Sequence, residues 1–136
     1  MIEYMTNHPE GTLIYQTDGM QQIKTCLLRT VNQLCLEHLL TYEGYREAIH
    51  YMFGVSHRIP IYLCEDMQLL PTGRYRSYET IYINVAAIKT YQPTKNGMII
   101  TFISGRLCDI KISLYTFEKQ LHLLEKIRDT KVKHFH

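Results

Sequence analysis

The spacing of apolar residues changes period at Gly54, and that change limits what the chain can fold into. Before it, Ile23, Cys26, Leu27, Thr30, Val31, Leu34, Cys35 and His38 recur at steps of three and four, which predicts an amphipathic helix over 21–40. Ala48, Ile49, Met52 and Phe53 give a second helix, over 42–53, its apolar side, and Gly54 is its C-terminal stop. Beyond Gly54 the period falls to two. Strands are expected near 59–63, 67–70, 80–84, 86–92, 97–103 and 107–112, with turn chemistry between several of them at Glu65-Asp66, Pro71-Thr72-Gly73, Asn96-Gly97 and Ser104-Gly105. Pro93-Thr94-Lys95 ahead of Asn96-Gly97 implies a loop longer than two residues. The helical period returns after Ser113, an N-cap, with Leu114, Phe117, Leu121, Leu124 and Ile127 as the buried stripe. At the other end, Thr12–Gln16 reads as a short strand closing on Asp18-Gly19. The expectation is an α+β domain over 1–136: an N-terminal strand and two helices, then an antiparallel β-sheet with a closing C-terminal helix, and a frayed tail at 132–136.

With 136 residues, 46% of them hydrophobic, the chain can build one real core. No apolar run approaches the ~18 residues that cross a bilayer, and the first residues lack the pattern of a secretory signal. Cys26, Cys35, Cys64 and Cys108 are scattered among apolar neighbours without CxxC spacing. They read as small hydrophobes in a reducing cytoplasm, not as a disulfide frame or a metal site. Catalytic patterns are missing as well. There is no HExxH, GxSxG, GxGxxG or P-loop, and Ser56-His57 are sequence neighbours whose side chains diverge in an extended chain. No catalytic residue, metal or cofactor is therefore nominated.

Charge points elsewhere. Residues 1–40 carry two basic groups against four acidic, 41–78 balance at four each, and 79–136 carry nine against five. Two short segments concentrate donors. "VSHRIP" sets Ser56, His57 and Arg58 just before Pro60, where an extended chain is expected. "GRYRS" does the same with Arg74, Arg76 and Ser77 after Gly73. Guanidinium groups fork onto phosphates and favour the negative potential of a narrow minor groove, while Ser and Tyr hydroxyls add neutral donors to the backbone. Such residues on loops at one end of a rigid sheet make a workable DNA grip. They fit a solvated surface turn equally well, and residue chemistry does not separate the two. Tyrosine is the commonest aromatic, eleven against four Phe and no Trp, and Tyr62, Tyr78, Tyr82 and Tyr91 read as half-buried strand residues.

From about Ile23 to Ile127 the chain resembles the ComK family of competence transcription factors of Gram-positive bacteria. An ordered series of pieces carries the likeness: Cys35; Tyr42, Gly44 and Arg46 in "TYEGYRE"; "GVSHRIPIYL"; "LLPTGRYRS"; "TIYINVAAIKTY", with Tyr82 where the family often has Trp; and "ITFISGRLCDIKISLYTFEKQL". Residues 71–127 are also faintly similar to LytTR-type DNA-binding domains. The resemblance implies a cytoplasmic, non-enzymatic activator that grips A/T-rich double-stranded DNA through the minor groove as a dimer or larger homo-oligomer, and that switches on DNA-uptake genes. Arg58, Arg74 and Arg76 are expected to hold phosphate or enter the groove. Arg46, Lys89, Lys95 and Arg106 orient the protein by charge, and His57 and Ser77 donate hydrogen bonds. Family members usually have a longer N-terminal β segment and a C-terminal extension. A second reading is therefore a truncated paralogue acting by protein contact with a full-length relative.

Overall fold

A computed structural model describes residues 1–135. The N-terminal 23 residues form three strands rather than one: β1 (Ile2–His8), β2 (Gly11–Gln16) and β3 (Gly19–Ile23). They run as an antiparallel meander with two-residue turns, His8 opposite Gly11 and Gln16 opposite Gly19. Gln21 and Gln22, placed by periodicity in the first helix, lie instead on the edge strand β3, where both are exposed. Helix α1 starts later, at Leu27, and ends at Glu37.

The exit from α1 is strained. Leu39 sits in the left-handed region at φ 64°, with its side chain 95% exposed. Its neighbour Leu40 donates its backbone N–H to the Cys35 carbonyl, which closes the helix end. Holding a leucine there costs roughly 1–2 kcal/mol, and a glycine would give back roughly 0.5–1 kcal/mol of that in chain entropy. Leu39→Gly is thus expected to stabilise the protein by about 0.5–1 kcal/mol, seen as a higher denaturant midpoint at unchanged slope.

Helix α2 (Tyr42–Phe53) begins and ends as the sequence predicts. Thr41 caps it by accepting from the Gly44 N–H, and Gly54 stops it at φ 71°. Then follow β4 (Ile61–Cys64), β5 (Met67–Pro71), β6 (Ile81–Asn84), a 3₁₀ turn at Val85–Ala87, β7 (Ile88–Thr94), β8 (Gly97–Phe102), β9 (Leu107–Ile110) and α3 (Leu114–Phe135). The β7–β8 connection is the two-residue turn Lys95-Asn96, shorter than expected, because Pro93 and Thr94 still pair across to Met98 and Gly97. Proline is tolerated there since β7 is an edge strand. Gly97 is needed for another reason: a Cβ at that position would lie 2.0 Å from the Ile110 carbonyl oxygen. At the C-terminus the helix continues to Phe135, past the frayed end expected from 132, and His136 lies outside the described residues.

Among the described residues, nine strands divide into two antiparallel sheets. The large one has the order β3-β2-β1-β6-β5-β4 and the small one β7-β8-β9. β1 therefore lies in the middle of the large sheet and pairs with β6 through Tyr4↔Ile83, Met5↔Tyr82 and Thr6↔Ile81. Strand alternation sends neighbouring residues to different cores. Met5, Leu69 and Tyr82 face α1, α2 and the later part of α3, joining Val31, Cys35, Tyr45, Leu124 and Ile127. Leu70 and Ile83 face the small sheet, joining Met98, Ile100, Phe102, Ile110 and the first turn residue Phe117 of α3. The result is three layers (helices, large sheet, small sheet) in the α+β class. Helix α3 spans two of the interfaces. Its far end is fastened where Lys131 donates to the Tyr62 carbonyl at 2.7 Å, and burial there pulls the ammonium below its ordinary pKa.

Among the described residues one charged side chain, Glu3, is fully buried. Glu3 on β1 accepts from the Ser104 N–H at 3.1 Å, the Ser104 hydroxyl at 2.8 Å and Arg106 Nε at 3.1 Å. Arg106 also donates through Nη2 to the Gln16 and Gly19 carbonyls and lies over the Tyr15 ring. This knot ties the large sheet to the β8–β9 turn. Arg106, nominated as a charge that orients the protein toward DNA, is here bonded through its guanidinium to an internal carboxylate and two main-chain acceptors.

Candidate nucleic-acid interface

The connection from α2 to β4 and the connection from β5 to β6 meet at one end of the large sheet. The first is anchored on both sides. Gly54 N–H returns to the His50 carbonyl, and the Tyr45 hydroxyl donates to the Pro60 carbonyl at 2.8 Å. Between the anchors Ser56, His57 and Arg58 are exposed. The chain is not extended throughout: Arg58 takes φ 51°, a left-handed conformation that an arginine adopts only when its surroundings hold it. Ser56 pairs with His50 Nδ1 at 2.9 Å rather than with its neighbour His57.

The second connection, 72–80, is folded on itself. The Arg74 carbonyl accepts from Ser77 N–H at 3.0 Å and from the Thr80 hydroxyl at 2.6 Å. Thr72 and Ile81 bond to each other at its neck, and Asn7 donates to the Tyr78 carbonyl at 2.7 Å. Tyr75 turns inward and is met by Arg46 of α2, whose guanidinium carbon lies 3.8 Å from the ring centroid. Tyr42 stands edge-on to the same ring, and its hydroxyl bonds to that of Tyr82 at 3.0 Å. Burial raises both phenol pKa values above the ordinary range, so the pair stays neutral. Stacking of this kind fixes the loop that carries Arg74 and Arg76.

A single amide joins the two connections. Gln120 of α3, buried, donates from Nε2 to the Arg58 carbonyl at 3.0 Å and to the Pro71 carbonyl at 2.9 Å. Sequence reasoning missed this residue. The signal was a polar side chain lying between Phe117 and Leu124 on the buried stripe of the last helix.

Together these supports create a cleft of about 260 Å³ lined by Arg46, His57, Arg58, Arg74 and Arg76, with Tyr42 and Tyr75 among its other walls and no carboxylate. Among the described residues the ion pairs are Arg106–Glu3 and Arg128–Glu65, so Arg58, Arg74 and Arg76 have no acidic partner. Arg46 is half-buried, and its Nε has no hydrogen-bond partner. An uncompensated group of four guanidinium groups suits a phosphate or the floor of a narrow groove.

Other nominated residues stand apart. Ser77 borders a different hollow that also contains Glu79 and Asp109. Lys89 lies on β7, beside a shallow hollow with Tyr91 and Leu121, and Lys95 is in the β7–β8 turn. Neither lines the cleft. Cys35 and Cys108 are buried, and burial pushes both thiols up to about 11. Cys26, by contrast, is exposed beside the start of α1.

Among the described residues no helix is long and apolar enough to cross a membrane. Neither a curated protein nor a solved structure matches the chain significantly. A family model described as ComK protein matches residues 3–134, and the chain thus belongs to the ComK family, a family of competence transcription factors.

Proposed function

We propose that the protein regulates genetic competence by binding A/T-rich promoter DNA through the arginine cleft, in the cytoplasm and as a homo-oligomer, and so activates DNA-uptake genes. The observation that carries this reading is the convergence of Arg46, Arg58, Arg74 and Arg76 on one carboxylate-free cleft. Arg58, Arg74 and Arg76 are exposed and extend from two braced loops, which suits entry into a minor groove. Arg46 contributes its charge from behind Tyr75 and sets that ring's position. His57, at the rim, adds a donor to the sugar-phosphate backbone. Ser77, Lys89 and Lys95 have a lesser part in this reading, as phosphate contacts outside the cleft. Palindromic boxes would be met by a two-fold assembly.

The test is anisotropy titration of a labelled A/T-rich duplex against a G/C-rich duplex of equal length across a salt series. With about six phosphates neutralised, log K should fall against log salt with a slope on the order of −5, and the A/T duplex should bind more tightly. Equal, salt-insensitive or undetectable binding would refute the proposal.

A further inference from the structure

A second groove begins where the arginine cleft ends. It runs between the 54–58 segment and α3, holds about 720 Å³, and shares Arg58 and Arg74 with the cleft while adding Lys119 and Lys126. No carboxylate lines it. The reason lies in the spacing of α3. At about 100° per residue, Tyr115, Lys119, His122, Lys126 and Lys133 fall within roughly 60° of arc, whereas Glu118, Glu125 and Asp129 fall in the adjoining sector. The helix thus sorts its charges, with the cationic stripe beside the arginine loop. Lys119, Lys126 and Lys133 follow each other every seven residues, about 10 Å along the axis at each step.

We infer that this stripe is a second DNA contact, which holds backbone phosphates flanking the segment gripped by the arginines. The inference rests on the DNA-binding reading above and extends it from a point contact to a track. Three features favour a phosphate backbone over an acidic peptide. The groove is continuous with the cleft, so a strand leaving the arginines passes along it. Its new cations are lysines on flexible stems, which suit phosphates of variable position. Phe53, Val55 and Leu123 are partly packed against the core, which leaves Tyr115 as the large exposed aromatic on the groove, and its hydroxyl is a further donor to a phosphate.

The experiment compares wild type with Lys119→Ala/Lys126→Ala on two A/T-rich duplexes, one limited to the core box and one extended on both sides. Both lysines are exposed, so thermal melts should coincide. On the extended duplex the variant should lose about 30-fold in affinity at 0.15 M salt, with a slope shallower by about 2. On the core duplex, and in preference for A/T over G/C, it should match wild type. Equality of the two proteins on the extended duplex overturns this inference alone. Failure of wild type to bind either duplex overturns the DNA reading itself. A labelled glutamate-rich peptide that binds wild type but not the variant, with duplex binding unchanged, would make the groove a protein dock and also overturn the inference.

Discussion

Arg106→Ala is expected to destabilise the protein by about 3 kcal/mol or more, because it strands the Glu3 carboxylate in the interior. Glu3 is fully buried and Arg106 is 29% exposed, so the loss falls mainly on desolvation of the acid that remains. The Gln16 and Gly19 carbonyls lose a donor at the same time. Chemical denaturation would show this as a lower midpoint. A second variant identifies the cause. Glu3→Leu combined with Arg106→Met removes both charges, and it should recover much of the stability, since a buried pair replaced by apolar groups is often neutral. If the double variant is as unstable as the single one, the knot acts through packing and not through charge. DNA affinity of Arg106→Ala, measured where it is still folded, should equal that of wild type.

Arg74→Ala/Arg76→Ala should behave in the opposite way. Both side chains are exposed on a loop held by main-chain bonds and by Tyr75, so stability should change little. Affinity for an A/T-rich duplex should fall on the order of a hundredfold at 0.15 M salt, with the salt slope shallower by about 2. Preference for A/T over G/C should shrink too, because a guanidinium inserted into a narrow groove reads its potential as well as neutralising charge. Loss of affinity with the preference intact would reduce these residues to general phosphate contacts. Unchanged affinity would remove the cleft from the interface altogether.

The elements that sequence reasoning located well are those with a long, clean period. α2 carried its own stop in Gly54, and the strands from β4 to β9 were set off by turn residues, with clear alternation in β8 and β9. The N-terminus was harder. β1 has Glu3 and Tyr4 where a simple strand pattern would alternate apolar and polar, because both of its faces are covered and its acid has a partner 103 residues away. β3 looked helical because Ile23 is in step with the apolar residues of α1. What decides its conformation is pairing with β2, a contact that local spacing does not record. The same limit applies to the site. Arginines at 58, 74 and 76 could be nominated from local chemistry, but only the folded chain brings them to one cleft with Arg46, and only it pairs Arg106 with Glu3. Gln120 stood out as a polar residue on the apolar stripe of α3, but its two acceptors, the Arg58 and Pro71 carbonyls, are main-chain groups that residue type does not mark.

The central place of β1 sets an order of events during synthesis. Its hairpin with β2 can form as soon as residue 16 has left the ribosome, but its other edge must wait for Ile81–Ile83. At about 5–20 residues per second that delay lasts several seconds. Throughout it the nascent chain shows an open strand edge and an uncompensated acid at position 3, and Arg106 emerges later still. Newly made molecules therefore pass through a period with one edge of β1 unpaired that finished ones do not share.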